Sequence, residues 1–154
     1  MKWTVQELIK LQNIDNTFKE IIDFSSYIDN TDIIDISPVE VEGDFEIYDS
    51  SIFEFYIEIK CTLTLACAIT LEEVLYELNF NVEEIFSAEK SEEYTLIDGI
   101  TIDLLPIIWS NIILEKPMRV LSENAYKNYQ SEITESEDDD GVNRAFANLK
   151  NYRK

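Results

Sequence analysis

Residues 52–65 read IFEFYIEIKCTLTL, and their side chains alternate between apolar and polar with a period of two. The odd-numbered positions from Phe53 to Leu65 are all apolar, whereas most even-numbered positions carry Glu, Lys or Thr. Successive side chains of a β-strand point to opposite faces, so this period is typical of a strand that is buried on one side only. The stretch predicts a long strand with one dry face and one face in water.

The same period recurs a short distance downstream. Apolar or aromatic residues occupy alternate positions from Val74 to Val82, and acidic or amide side chains occupy most of the positions between them. Extended segments are also predicted at residues 18–24, 32–36 and 38–48. Because two half-polar strands with a short connection favour an antiparallel pair, we expect an antiparallel sheet with one wet face.

Three segments carry helix signals. The sequence Thr4-Val5-Gln6-Glu7 fits a capping box at the start of a helix over residues 5–12. Asp103 is a suitable N-cap for an apolar helix over residues 104–114, which we expect to pack across the dry face of the sheet. Residues 142–152 favour a last helix. The predicted fold is therefore α+β: an antiparallel sheet of about five or six strands covered by an apolar helix, with short N- and C-terminal helices.

The composition excludes several classes of protein. Of the 154 residues, 12 are Lys or Arg and 32 are Asp or Glu, and the net charge of −20 repels phosphate backbones. His is absent and Gly occurs three times, so neither a histidine base nor a Gly-rich phosphate loop can be assembled. No apolar stretch is long enough to cross a membrane, and the first residues lack the pattern of a signal peptide. These features predict a cytoplasmic protein without membrane contact.

The two cysteines, Cys61 and Cys67, are six residues apart and share one face if the strand is unbroken. A structural zinc ion takes four ligands, and the chain has neither His nor further Cys to complete such a set. We therefore interpret both as small buried apolar residues in a reduced compartment. No metal and no other cofactor is expected.

Charge is distributed unevenly near the C-terminus. The stretch from Glu132 to Asp140 holds six acidic residues, and residues 142–154 hold four basic residues and no acidic one. An acidic run of this kind stays solvated. We predict a single α+β domain over residues 1–131, an acidic linker over residues 132–141 and a basic C-terminal segment over residues 142–154.

Several short motifs follow one another in a distinctive order. The chain opens with Met1-Lys2-Trp3, has a Ser-Pro-Val step before a strand that ends in Gly at Ser37–Gly43, and continues to Cys67-Ala68-Ile69-Thr70-Leu71. Glu84-Ile85-Phe86 ends the next strand, and Ile102-Asp103-Leu104 starts a helix that is followed by a proline. In this order and spacing the motifs resemble the YceD family of bacteria and plastids, also called the large ribosomal RNA subunit accumulation proteins.

The chain departs from the family pattern at two places. The family motif reads Cys-Ser-Arg-Thr-Leu, and Ile69 takes the place of its Arg. Asn143–Leu149 matches the family's Asp-Pro-Arg-Phe-Ala-Lys-Leu stretch only loosely. At both places the chain therefore lacks a position at which a contact with phosphate would be expected. The resemblance implies a role in large-subunit ribosomal RNA processing or accumulation, and hence in ribosome assembly.

These observations predict a ribosome biogenesis factor that is not an enzyme. The residue types in the sequence provide neither a nucleophile with a matching base nor a set of metal ligands. The closely spaced carboxylates are interpreted as a solvated sheet face. The expected partners are basic ribosomal or assembly proteins, which an acidic surface attracts. The alternative is an acidic mimic of nucleic acid, or a protein-interaction module unrelated to ribosomes.

Precursor ribosomal RNA is the other expected partner, through the basic C-terminus. Four terminal cations give weak, salt-sensitive contacts with phosphates, and Tyr126 and Tyr129, which lie beside Lys127, offer stacking surfaces for bases. The same cations would otherwise anchor the last helix to the acidic body. The candidate partner-binding residues are Tyr126, Lys127, Tyr129, Arg144, Lys150 and Arg153.

Overall fold

The computed structural model describes residues 1–137, without the side chains of Tyr129 and of residues 132–137. Its strands are β1 (Lys2–Thr4), β2 (Thr17–Ile22), β3 (Ile33–Ile36), β4 (Val39–Tyr48), β5 (Ile52–Ala66), β6 (Glu73–Ser87), β7 (Thr95–Leu96) and β8 (Thr101–Asp103), and its helices are α1 (Val5–Leu11), α2 (Leu105–Glu115) and α3 (Glu123–Glu137). None of the helices in this part of the chain combines the length and the apolar character needed to cross a membrane. The predicted α+β class is confirmed, and strands predominate.

Strand β5 lies at the centre of a six-stranded sheet. The strand order is β2-β4-β5-β6-β7, and β3 pairs with the later part of β5, beyond the end of β4. Neighbouring strands are antiparallel except β6 and β7, which are parallel. Strands β1 and β8 form a separate antiparallel pair. Both sides of β5 are therefore paired along most of its length.

The longest pairing in the sheet joins β5 to β6. Each strand has 15 residues, and the register runs without a shift from Ile52 opposite Ser87 to Ala66 opposite Glu73. The sequence pattern ends at Val82, where consecutive glutamates break the alternation, yet the strand continues to Ser87. Pairing with the full length of β5 extends β6 beyond its own pattern, because tertiary context overrides local propensity.

The dry side of β5 forms the centre of the core. All seven odd-numbered side chains from Phe53 to Leu65 are buried. Ile108 and Ile112 of α2 are fully buried in the same hydrophobic cluster. The indole of Trp109, on the same helix, stacks on the ring of Phe24 with centroids 5.6 Å apart. The apolar helix thus contributes its side chains to the core that the sheet supplies.

The helix starts agree with the sequence at α1 and differ by one residue at α2. Thr4 Oγ1 accepts the Glu7 N–H at 3.2 Å and Glu7 Oε2 accepts the Thr4 N–H at 2.7 Å, which confirms the capping box. At α2 the N-cap is Leu104 rather than Asp103. The Asp103 carboxylate still accepts the N–H of Leu105 at 3.0 Å. It therefore bonds one of the free N–H groups at the helix start, although it lies one residue before the N-cap.

Helix α3 crosses the predicted boundary at residue 131. It runs from Glu123 to Glu137, so residues 132–137, which we predicted to begin the acidic linker, continue a helix. The remainder of the predicted linker and the predicted last helix at 142–152 lie outside the described residues. The division into domain, linker and basic segment stays a prediction.

Gly43 allows the close approach of β4 to β5, which makes it a test of the sheet geometry. A methyl group at Gly43 would overlap the Tyr56 carbonyl oxygen and lie 3.1 Å from Ile57 Cα, so the backbone would have to move. We expect Gly43→Ala to lower the free energy of unfolding by about 3 kcal/mol, the upper end for overpacking. Urea denaturation measures this loss.

The matched control is Gly99→Ala. A methyl group there meets nothing within 4 Å, and the only cost is the left-handed φ of 67°. This conformation costs a residue with a Cβ about 1 kcal/mol. Equal losses for the two variants would contradict the close packing at Gly43.

Candidate partner-binding surface

The outward side of the sheet is covered with carboxylates. Alternation places every second side chain of β4, β5 and β6 on this side, and the register arranges them in rows across the strands. We call this surface the acidic face, and define it by nine exposed or half-buried residues: Glu40, Glu42, Asp44, Glu46, Glu54, Glu58, Glu73, Glu77 and Glu83. It lies opposite the core, as the sequence pattern predicted.

Two pairs of glutamates on the acidic face lie directly opposite each other. Glu42 is opposite Glu58, and Glu46 is opposite Glu54, on β4 and β5. Like charges in directly opposed positions destabilise an antiparallel pair. The acidic face therefore holds negative charges closer together than folding favours, and a bound cation would relieve the repulsion.

Two lysines compensate part of this charge. Lys19 Nζ lies 2.9 Å from Glu42 Oε2, and Lys60 Nζ lies 3.0 Å from Glu58 Oε1 and 3.7 Å from Glu42 Oε1. The hydrogen bond from Lys19 lowers the pKa of Glu42, and the hydrogen bond to Glu58 raises the pKa of Lys60. The other seven carboxylates form no ion pair with a lysine or arginine of the described residues. Within the described part of the chain, most carboxylates of the acidic face therefore lack an ion pair.

Tyrosines accompany the uncompensated carboxylates. The Tyr48 hydroxyl donates to Glu46 Oε2 at 2.5 Å, and this bond raises the pKa of Tyr48 far above its usual value. Hydrogen bonding to Glu54 raises the pKa of Tyr56 to about 12. Both rings stay neutral at physiological pH. Carboxylates beside aromatic rings suit Lys and especially Arg, which bonds a carboxylate through two donors and stacks on rings.

The shape of the acidic face is open. A shallow depression of about 520 Å³ occupies its middle, and its lining includes Glu42, Asp44, Tyr56, Glu58, Asn81 and Glu83. The pKa of Glu42 is lowered, which is opposite to what a general acid requires. Among the side chains that the structure describes, no three acidic or cysteine groups are placed so as to hold a metal ion. The geometry suits reversible binding of cationic side chains.

The motif Cys67–Leu71 forms the turn between β5 and β6. The Leu71 N–H donates to the Cys67 carbonyl oxygen at 3.0 Å, and Leu71 has a left-handed φ of 61°. The Leu71 side chain is 77% exposed, and Ile69, at the position of the family's Arg, is 56% exposed. The turn therefore presents apolar side chains to solvent at one end of the sheet.

The thiol of Cys67 connects this turn to the start of α3. Its Sγ accepts the N–H of Thr70 at 3.4 Å and the N–H of Ser122 at 3.3 Å. Ser122 in turn caps α3, because its hydroxyl accepts the N–H of Ala125 at 3.3 Å. The hydrogen bonds from Thr70, with a contribution from Ser122, lower the pKa of Cys67 to about 6. The motif thereby sets where α3 begins.

The structure describes only part of the predicted partner-binding set. Tyr126 is 52% exposed, and Lys127 is exposed beside it in the first turns of α3. Adjacent residues on a helix point about 100° apart, so these two side chains do not share one face. The Tyr129 side chain and the residues Arg144, Lys150 and Arg153 lie outside what the structure describes.

Sequence reasoning missed two features of the surface. The contact between Cys67 and Ser122 joins residues 55 positions apart, and no periodicity or spacing indicates it. The opposition of Glu46 and Glu54 depends on strand register, which the alternation of each strand leaves open. The one available signal in the sequence was the repetition of acidic residues at alternate positions. It identified the acidic face but not which carboxylates lie opposite each other on neighbouring strands.

The two thiols should ionise on opposite sides of the usual cysteine pKa of about 8.5. Hydrogen bonds from Thr70 stabilise the Cys67 thiolate and lower its pKa to about 6, whereas burial raises the pKa of Cys61 to about 11. Ultraviolet absorbance of the thiolate against pH, in the Cys61→Ala and Cys67→Ala variants, assigns each midpoint. Two midpoints at the usual value would contradict the hydrogen-bonded geometry of Cys67.

Comparison with known proteins agrees with the motifs. The model of the family described as "Large ribosomal RNA subunit accumulation protein YceD" matches residues 55–152, nearly two thirds of the chain. A Bacillus subtilis (strain 168) protein with the name "Uncharacterized protein YlbN" is 29% identical over 130 residues, which cover 80% of this chain and 75% of the relative. No solved structure matches the chain significantly. The resemblance inferred from the sequence is confirmed, and the chain belongs to the YceD family.

Proposed function

We propose that this protein supports the accumulation of large-subunit ribosomal RNA in the cytoplasm by binding basic ribosomal or assembly proteins on its acidic face, without catalysing a reaction. Membership of the YceD family supports the link to large-subunit RNA. The charge and the open shape of the acidic face support binding as the mode of action. Complementary charge speeds encounter with a partner and excludes partners of the same sign.

The observation that carries the proposal is the set of seven carboxylates on the acidic face that lack an ion pair with any described lysine or arginine. Proteins that bind RNA use Lys and Arg to neutralise phosphates. Before such a protein reaches the RNA, its Lys and Arg side chains have no phosphates to pair with. The carboxylates of an acidic sheet face can pair with these side chains instead. Binding of this kind is reversible, because exposed ion pairs are individually weak and screened by salt.

A second candidate is direct contact with precursor ribosomal RNA. The exposure of Tyr126 and Lys127 on α3 favours it, because bases stack on aromatic rings and lysine contacts phosphates. Deletion of residues 142–154, which carry the other basic residues of this candidate, should then abolish retention of precursor RNA in a gel-shift assay. Binding of basic proteins on the acidic face would change little in the same variant.

Removing an opposed pair of acids should weaken partner capture without unfolding the protein. We expect Glu46→Gln with Glu54→Gln to reduce capture of purified basic ribosomal proteins by roughly threefold or more at low salt. The stability of the free protein should hold or rise, because the substitutions remove a like-charge repulsion. Pull-down at low and high salt, with thermal unfolding of the same samples, measures both effects.

The matched control is Glu89→Gln with Glu92→Gln, which removes the same charge from exposed positions between β6 and β7. This control should capture basic proteins as the unmodified chain does. Equal losses in the two double variants, or equal capture at low and high salt, would contradict the role of the acidic face.

The cellular role predicts a defect in large-subunit RNA when the protein is depleted. We expect less mature large-subunit RNA, more of its precursor and fewer large subunits in a ribosome profile, with small-subunit RNA as the internal control. Complementation with the variant that lacks the Glu46 and Glu54 charges should restore RNA levels less well than the Glu89 and Glu92 control. Normal RNA after depletion would favour a nucleic-acid mimic with a single partner unrelated to ribosomes.

A further inference from the structure

Strand β6 has a long edge that is left unpaired by the described residues. Along one side it pairs with β5 over all 15 residues, but along the other side it pairs with β7 only at Phe86 and Ser87. On that second side, residues 73–85 form no backbone hydrogen bond with any described part of the chain. Alternate residues of a strand direct their N–H and C=O groups to each side, so about half of the backbone groups in this stretch have no strand partner among the described residues.

Side-chain exposure is consistent with an open edge. On β5, which has neighbours on both sides, the outward residue Glu58 is half-buried, whereas the outward residue Glu77 of β6 is exposed. Near the start of β6 even side chains on both faces meet solvent: Leu75 is 72% exposed and Tyr76 is 36% exposed. A strand would contact both residues if it were added here.

The edge lacks most of the devices that prevent pairing between strands. Exposed edges are usually interrupted by Pro, Lys or a bulge. Residues 73–85 read EVLYELNFNVEEI, without Pro or Lys, and the register with β5 has no bulge. What the edge does carry is acidic charge on its outward face, at Glu73, Glu77 and Glu83.

The acidic charge along this edge determines which kind of strand can pair with it. A second copy of the chain would bring its own acidic edge and a further net charge of −20 against the first, which disfavours self-pairing. Phosphates of an RNA strand would be repelled in the same way. An extended segment with Lys or Arg at alternate positions places its cations opposite Glu73, Glu77 and Glu83 instead.

We propose that residues 73–85 of β6 bind an extended basic segment of a partner protein by adding it to the sheet as a strand. This inference rests on the proposed function, because it states where the basic partner lies and in which conformation. Backbone hydrogen bonds along β6 supply affinity, and the alternating glutamates supply preference for cationic side chains. The added strand extends the acidic face, so both surfaces contact one partner.

The test uses the full-length protein and three synthetic peptides of alternating Lys and Val, each as long as residues 73–85. One peptide is unmodified, one is methylated on the backbone nitrogen of every Lys, and one on that of every Val. All three have the same charge. Only one set of nitrogens can face β6, so one methylated peptide should bind at least about tenfold more weakly than the other. Isothermal calorimetry at low salt measures the affinities.

The outcomes separate this inference from the proposed function. Selective loss with one methylated peptide supports strand addition. Equal, salt-sensitive binding of all three peptides overturns strand addition and leaves charge-based binding on the acidic face intact. Absence of binding by every peptide contradicts both.

Hydrogen exchange locates the site. The peptide should slow exchange in residues 73–85 and leave residues 39–48 unchanged. If every amide of residues 73–85 already exchanges slowly in the free monomer, a segment of this chain occupies the edge. If the protein is a dimer whose protection lies at these residues, a second copy occupies it. Either result would overturn the inference.

A charge reversal on the protein provides an independent comparison. Glu77→Lys places a cation on the edge, and Glu89→Lys makes the same charge change beyond the end of β6. We expect Glu77→Lys to weaken binding of the unmodified peptide about tenfold and Glu89→Lys to change it less than about twofold. Equal effects would count against a site at the β6 edge.

Discussion

The antiparallel pairing of β5 with β6 is the interaction on which the other elements depend. It joins 15 residues of each strand without a shift in register. This pairing assigns each odd-numbered side chain of β5 to the core and each even-numbered one to solvent. A slip of one residue would exchange the two faces, so burial of the core and exposure of the acidic face are enforced by the same register.

The two faces of the sheet serve opposed requirements. The dry face gains stability from buried apolar side chains such as Phe55 and Ile59. The wet face sets Glu46 against Glu54, and neither forms an ion pair with a described lysine or arginine, although like charges in opposed positions weaken a sheet. Natural proteins keep local conflicts of this kind mainly at functional sites. The conflict on the wet face is therefore the strongest physical argument for the proposed binding of cationic partners.

The Cys67 turn links the sheet to α3 and gives the family motif a physical meaning. Cys67 accepts hydrogen bonds from Thr70 within the motif and from Ser122 at the helix start. Leu71 adopts the left-handed conformation that ends the turn. Because Ser122 caps α3, the turn also positions Tyr126 on that helix. Cys67, Thr70 and Leu71 thus each take part in the turn, whereas the side chain of Ile69 between them is exposed to solvent.

Alternation along each strand and the capping box at Thr4 were sufficient to determine the α+β class, the acidic face and the first helix, because these signals are local. Tertiary structure alone decided which glutamates oppose each other, where β3 joins β5, how Cys67 meets Ser122, and that one edge of β6 has little pairing among the described residues. Each of these depends on residues distant in sequence. Side-chain period defines the faces of a strand, but only hydrogen bonding between strands defines its neighbours and its register.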